Sequence, residues 1–336
     1  MWELKNQTPY GAERNWVRDK RGRHHWIVSV KATFRFDPGG RLALADEQPP
    51  PALAPEYTGD PGASSLRWDS DLLYMKRGTD VVAQAFAHAP GGHPRTAVAV
   101  GLRVGPVAKE LVAYGDRVFA RGLGGIAPSS PAPFVQRPIV YEWAFGGTDL
   151  ADPDPRQHRI FDANPIGKGF AVDPARLVDQ PAPAIEYRGD SSRADVPAGL
   201  GPIDPSWMPR RSYAGTYDEQ WARTKKPLLP DDYDDLFGSC APTDQRIAEG
   251  LRGGELVELT GMTPSGTVRF ALPAIHLAYV THFGSRRVEH RGDLVTVLLL
   301  PEASHLCLVW QTALPVAPRD DEYLDRTFIE ERSSAA

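Results

Sequence analysis

From Trp26 to Phe36, in WIVSVKATFRF, apolar Trp26, Val28, Val30, Ala32, Phe34 and Phe36 alternate with the mostly polar Ser29, Lys31, Thr33 and Arg35. A period of two puts the apolar set on one face of an extended chain, and no helical stripe reproduces it. TAVAVGLRV repeats the pattern with Val98, Val100, Leu102 and Val104, and VAKELVAYGDRVFARG adds two extended segments around Gly115. The turn-rich PGG runs at 38–40 and 90–92 separate such segments. The back third is built alike, with ELVEL (255–259), TVRFAL (267–272), IHLAYVTHF (275–283), LVTVLLL (294–300) and HLCLVWQ (305–311). The connections TPSG (263–266) and FGSRRVEHRGD (283–293) are too short to hold the crossover helix that parallel pairing of neighbours needs. A mainly β fold of packed antiparallel sheets follows, one sheet expected from the front third and one from the back.

Between residues 128 and 250 the alternation disappears and 17 of the 32 prolines gather. The same stretch holds Trp143, Trp207, Trp221, Tyr141, Tyr213, Tyr217 and further aromatics, which disordered linkers avoid. A long segment of this kind inside a compact domain is expected to be ordered and functional. YDEQWAR (217–223) and PTDQRIAEG (242–250) have the look of short helices, the second opening on a Thr243 N-cap and closing at Gly250. The tail DDEYLDRTFIEERS places Leu324, Phe328 and Ile329 on one helical face, and Ser333 to Ala336 are expected to fray. The reading is one integrated domain over 1–332. It comprises a front β meander (1–127), an irregular wrapping segment (128–250), a back β meander (251–315) and a C-terminal helix (316–332).

Charge and cysteine content narrow the function. Thirty-eight Lys and Arg against 43 Asp and Glu give a net charge of −5, and no polybasic arm is present, which disfavours nonspecific nucleic-acid binding. The strongest apolar run, Leu294 to Leu300, is far below the roughly 20 residues of a membrane-crossing helix and reads as a buried strand, so no membrane insertion is expected. No export signal is visible in the first 25 residues. Cys240 and Cys307 cannot make a disulfide framework; they read as buried packing residues in a reducing cytoplasm.

Motifs for chemistry are sparse. NPIGKGF (164–170) lacks the first glycine and the hydroxyl residue of a phosphate loop and reads as a Gly-rich turn. No nucleophile elbow, HExxH, CxxC or EF-hand loop occurs. His276 and His282 share a strand face but lie about 20 Å apart at the usual strand rise, too far for one ion. The neighbours His24 and His25 point to opposite faces of a strand, and neither metal nor cofactor is expected. PDDYDDLF sets Asp231, Asp232, Asp234 and Asp235 beside aromatics, a composition shared by glycosidase sites and by solvated turns. The stretch Arg14 to His25, with Arg14, Arg18, Lys20, Arg21 and Arg23, reads as an exposed loop or as a surface for an acidic partner.

A set of ordered blocks carries a family resemblance. They include NQTPYGAERNW (6–16), EYTGDPGASSLRWDSDL (56–72), KRGTDVV (76–82), YEWAFGGTD (141–149), NPIGKGF, GLGPIDPSWMPRRSYAGTYDEQW (199–221) and PLLPDDYDDLFGSCAPTDQR (227–246). With these the chain resembles the bacterial family of domain of unknown function 2169, whose members are similar to type VI secretion effector adaptors. Ala83, Phe86, Cys240 and Thr243 depart from the familiar pattern, and no pentapeptide-repeat extension follows.

The resemblance implies a non-enzymatic adaptor or chaperone. Such a protein binds a toxin effector in the cytoplasm and helps load it onto the valine-glycine-repeat spike protein of the secretion machine. The partner-binding residues expected on these blocks are Tyr141, Trp143, Asn164, Lys168, Trp207, Tyr213, Tyr217 and Trp221, gathered in one neighbourhood. Gly146, Gly147, Gly167 and Gly169 admit a plainer role in tight turns, and Trp143 and Trp207 in core packing. The alternatives are a carbohydrate-active hydrolase using Asp231 to Asp235, and a structural component of a secreted particle.

Overall fold

The computed structural model describes residues 2–320 and 323–332. The architecture is mainly β, with several sheets and, among the described residues, one six-residue α-helix, Glu219–Thr224. The largest sheet has seven strands. Its order is Arg246–Ile247, Thr79–Ala83, Asp293–Leu300, His305–Val316, His24–Phe36 and Gly11–Arg18, with Leu42–Leu44 paired to the end of His24–Phe36. A five-stranded sheet runs Ile185–Tyr187, Val107–Tyr114, Ala97–Val104, Leu256–Thr263, Gly266–Ala271. A four-stranded sheet runs Glu3–Asn6, Leu324–Arg332, His276–Phe283, Arg286–Arg291. All hairpin neighbours pair antiparallel; the parallel pairs, such as Asp293–Leu300 with Thr79–Ala83, join strands far apart in sequence, as the missing crossover helices require.

Two expectations about arrangement give way. The front and back thirds do not each make a sheet: Ala97–Val104 pairs with Leu256–Thr263, and His24–Phe36 with His305–Val316, so both large sheets contain strands from front and back. The reason is burial. Val28, Val30, Val297, Leu299, Leu306 and Leu308 are fully buried, and a hydrophobic cluster reaching from Tyr10 to Ile329 joins all three sheets. The expected C-terminal helix is a strand, Leu324–Arg332, which hydrogen-bonds to His276–Phe283 on one side and to Glu3–Asn6 on the other. Its buried residues, Leu324, Thr327 and Ile329, answer to the sheet face; two ladders of main-chain hydrogen bonds outweigh a weak helical stripe. Residues 321, 322 and 333–336, including the tail expected to fray, lie outside the described residues. Arg286–Arg291, read above as part of a connection, is also a strand.

A buried polar chain links two sheets. Trp26 Nε1 donates to Thr327 Oγ1 at 2.9 Å, Thr327 and Thr281 share a hydroxyl bond at 2.8 Å, Thr281 meets His290 Nε2 at 2.8 Å, and His290 Nδ1 meets Thr312 Oγ1 at 2.7 Å. Burial pushes the His290 pKa down to about 4, so the ring is neutral near pH 7.

The 128–250 segment has only two- and three-residue strands, 3-10 turns and the short helix. It nevertheless supplies an edge strand to each large sheet, Ile185–Tyr187 to one and Arg246–Ile247 to the other. The helix Glu219–Thr224 is where expected, capped by the Asp218 carboxylate accepting from Trp221 N at 2.8 Å. The second expected helix is a single turn, Thr243–Gln245, followed at once by strand; Pro242, not Thr243, precedes it and no side chain caps it.

Candidate functional site

The family-like blocks, distant in sequence, meet through buried polar contacts. Ser65 N donates to Glu142 Oε1 at 2.8 Å, and Tyr141 N donates back to Ser65 Oγ at 3.1 Å. Tyr57 OH donates to Asp204 at 2.7 Å. Arg210, 2% exposed, bonds Asp69 Oδ2 at 2.5 Å, the Ile203 carbonyl at 2.8 Å and the Phe237 carbonyl at 2.9 Å. Asp80 accepts from Cys240 N at 2.8 Å and from the Ser239 hydroxyl, with Lys76 Nζ 3.7 Å away. Gln245 ties Val81 and Leu200 carbonyls at 2.8 and 3.0 Å, while its own oxygen accepts from buried Lys109, which also bonds Asp244 at 2.9 Å. Such groups are tolerable inside only because each is partnered, which makes the assembly a brace that fixes the irregular backbone.

Burial and charge set the protonation inside the brace. Burial pushes the Asp71 carboxyl up, despite Lys76 and Lys31 nearby. Burial opposes the charge on Lys76, yet the nearby carboxylates of Asp80 and Asp69 help raise its pKa overall. The Cys240 and Cys307 thiols are both raised by burial and are inert packing groups near pH 7. The space between Lys31, Asp69, Asp71, Lys76 and Cys240 measures about 20 Å³, room for about one water and not for a substrate.

The eight expected binding residues fall into two adjoining groups. Tyr141, Trp143, Asn164, Lys168 and Trp207 lie together. The Tyr141 and Trp207 rings meet edge to face at 5.6 Å, and Asn164 Nδ2 donates to the Tyr141 and Phe145 carbonyls at 2.8 and 2.9 Å. Lys168 N donates to the Ala144 carbonyl, and the Arg137 guanidinium sits 4.9 Å over the Trp143 ring. Tyr141, Asn164 and Trp207 are buried, Trp143 and Lys168 half-buried. Here the glycines act by size. A Cβ on Gly146 (φ 144°) would fall 2.2 Å from the Asn164 carbonyl oxygen, and one on Gly167 would fall 2.5 Å from Asn164 Nδ2. NPIGKGF is thus a packed turn against Phe145–Gly146.

Tyr213, Tyr217 and Trp221 form the outer group. Tyr217 is 52% exposed and meets the Trp221 ring at 4.7 Å, and Trp221 Nε1 donates to the Leu228 carbonyl at 2.9 Å. Two clefts open beside them. The first, about 430 Å³, has Tyr141 in its wall with Tyr187, Arg193, Met208 and Tyr213; the Arg193 guanidinium stacks 3.3 Å over Tyr187. The second, about 380 Å³, is lined by Leu73, Tyr74, Tyr217, Leu229 and Phe237. Tyr74, Tyr187 and Leu73 were not among the expected residues. No local pattern marks them: Tyr187 lines a cleft shared with Tyr141, Tyr213 and Asp244, and Leu73 and Tyr74 line one shared with Val17, Tyr217 and Phe237, so each exists only once distant stretches are folded together.

The four neighbouring aspartates do not converge. Asp231 pairs with Lys225 at 2.5 Å, Asp232 accepts from Thr216 N and Oγ1 at 3.0 and 2.7 Å, Asp234 caps Leu236 N at 2.9 Å, and Asp235 pairs with Arg77 at 2.7 Å. His24 and His25 do take opposite faces, His24 accepting from Trp16 Nε1 at 3.1 Å and His25 meeting Asp19 at 3.3 Å. Among the described residues no cluster of three or more His, Cys, Asp or Glu could hold a metal ion, and no helix is long and apolar enough to cross a membrane.

Sheets clasped by a braced irregular segment with open aromatic clefts define the chain as a β-rich protein. It matches, over residues 21–311, the family described as "Uncharacterized protein conserved in bacteria (DUF2169)", and it belongs to that family. The match covers every quoted block except NQTPYGAERNW, which precedes it. No curated protein and no solved structure matches the chain.

Proposed function

We propose that the protein is a non-enzymatic cytoplasmic adaptor that binds a toxin effector of a type VI secretion system and helps load it onto the valine-glycine-repeat spike. The observation that carries this reading is the pair of clefts around Tyr213 and Tyr217, whose aromatic and apolar walls are held by the buried brace and need no ordering when a partner arrives. Preformed aromatic pockets are the usual anchors of polypeptide recognition. The ordered resemblance to proteins similar to secretion adaptors supports the same reading. Engagement of each of Asp231, Asp232, Asp234 and Asp235 in a local cap or ion pair supports taking that run as a structured turn.

Co-expression with the toxin encoded beside the gene, followed by affinity capture, is expected to give a stable stoichiometric complex. Failure of every neighbouring toxin to co-purify overturns the proposal, and recovery of the protein in culture supernatant at a fixed ratio to sheath or spike favours the particle component instead.

A further inference from the structure

The stretch from Val17 to His25 and Tyr217 of the outer aromatic group, far apart in sequence, line two adjoining chambers. Next to the apolar chamber of Leu73, Tyr74, Tyr217 and Phe237 lies a second chamber of about 400 Å³, and Asp19, Met75 and Asp235 line both. Its walls carry the cations Lys20, Arg21, Arg23, Lys76 and Arg77. Three of these are matched: Arg23 by Asp19 at 2.8 Å, Arg77 by Asp235 at 2.7 Å and Lys76 by Asp80 at 3.7 Å. Among the described residues Lys20 Nζ hydrogen-bonds main-chain carbonyls, those of Asp231 and Tyr233 at 3.1 and 2.8 Å, and its charge adds to the Thr216 hydrogen bonds that lower the pKa of the Asp232 carboxyl. The Arg21 side chain, exposed, has no carboxylate within 4 Å among the described residues. Burial pushes the Asp19 carboxyl up, yet its bonds to Arg23 and His25 hold it at about 2, so it is already charged and already committed to those partners. His25, whose Nε2 meets Asp19 at 3.3 Å, sits in the wall of the same chamber with a side chain only 9% exposed. The chamber therefore carries more cations than carboxylates, with Arg21 unpaired and Lys20 held by main-chain carbonyls near Asp232, and its neighbour offers Leu73 and Tyr217, 42% and 52% exposed.

We infer that this two-chamber groove receives an extended polypeptide segment of the partner in which an apolar or aromatic anchor stands next to two or more carboxylates. The anchor enters between Leu73, Tyr217 and Phe237; the carboxylates face Arg21 and Lys20. The charge pattern selects the occupant. A purely apolar ligand would leave Arg21 and Lys20 unused, and a basic one would be repelled. An extended chain sets same-face side chains about 7 Å apart, a spacing suited to adjoining side-chain-sized chambers. The inference rests on the adaptor reading and gives its partner a chemistry.

The test uses fluorescein-labelled twelve-residue peptides and the full chain. One peptide joins a Phe- and Leu-containing half to a Glu-rich half, a second replaces Glu by Lys, and a third replaces Phe and Leu by Ser. Fluorescence anisotropy is expected to show binding of the first alone, weakening as salt rises. Arg21→Glu and Tyr217→Ser should each weaken it at least about tenfold, a change of about 1.4 kcal/mol, with Arg21→Lys close to wild type. Arg21 and Tyr217 are exposed, and unchanged circular dichroism would verify the fold. No binding of the first peptide, equal binding of the Lys peptide, indifference to Arg21→Glu, or displacement by a single-stranded oligonucleotide at equal concentration each overturns the inference. Toxin capture separates the two claims. If the toxin co-purifies equally with wild type and with both groove variants, the adaptor reading stands and the groove assignment falls. If no toxin co-purifies, the adaptor reading falls and the peptide measurement alone decides the groove.

Discussion

In the sheets, Val28, Val30, Leu299 and Leu308 vanish into a continuous apolar core while the backbone satisfies itself ladder to ladder. The 128–250 segment has few ladders. Its backbone is fixed by its own buried side chains, with Arg210 reaching Asp69 and the Phe237 carbonyl, Gln245 the Val81 carbonyl, and Asn164 the Tyr141 and Phe145 carbonyls. The sheets lose stability gradually as apolar volume is removed; the segment stands or falls on individual polar partners, because an unpartnered buried charge costs more than a missing methyl group. This contrast lets an irregular surface stay preformed.

The sharpest attack on the contrast is Arg210→Ala, which strands Asp69 in the interior and should cost about 3–5 kcal/mol in urea unfolding. The double variant Asp69→Leu, Arg210→Met should recover much of that loss. If Arg210→Ala costs under about 1 kcal/mol, the brace is not what holds the segment. Leu299→Ala, a cavity in the seven-stranded sheet, is expected to cost about 3 kcal/mol with the denaturant slope unchanged.

Acid adds a pH-dependent comparison. His290 has a folded pKa of about 4, below its unfolded value of 6.5, so the unfolded chain binds the extra proton between those pH values. Its contribution is fully present above pH 6.5, is lost as pH falls toward 4 and is flat below; the loss is on the order of 3 kcal/mol. His290→Asn should flatten that part of the stability profile relative to wild type. An unchanged profile would mean the ring titrates freely.

Smaller effects belong to the outer surface. Asp218→Ala removes the cap of the short helix and should cost about 1 kcal/mol. Tyr217→Ala should change stability by no more than about 0.5 kcal/mol while reducing toxin capture, separating a docking ring from a packing one.

The extended segments were legible because period-two alternation is a local property: TAVAVGLRV became Ala97–Val104 with Val98, Val100, Leu102 and Val104 buried. The Leu324–Arg332 strand was not, since its apolar residues fit a helical stripe and only the open edges of two distant strands select extension. Arg286–Arg291 was hidden for a related reason: a charged edge strand carries little hydrophobic pattern. Around the clefts, composition marked Tyr213, Tyr217 and Trp221 as aromatics worth attention, but nothing local separated them from Trp207 and Asn164, which are interior. Leu73 and Tyr74 came into view only as walls of a cleft shared with Ala214, Tyr217 and Phe237.

Taken alone, the chain's order of residues determined that it builds sheets, that the 128–250 stretch is proline-stiffened and irregular, and that Leu294 to Leu300 is buried, because periodicity, ring constraint and hydrophobicity act between near neighbours. Tertiary structure alone decided which strands interleave, which aromatics face solvent, that Arg210 meets Asp69, and that the chamber lined by Arg21 adjoins the one lined by Tyr217. Those outcomes depend on contacts between positions far apart in sequence, where the favourable partner is selected by burial and charge after the chain has come together.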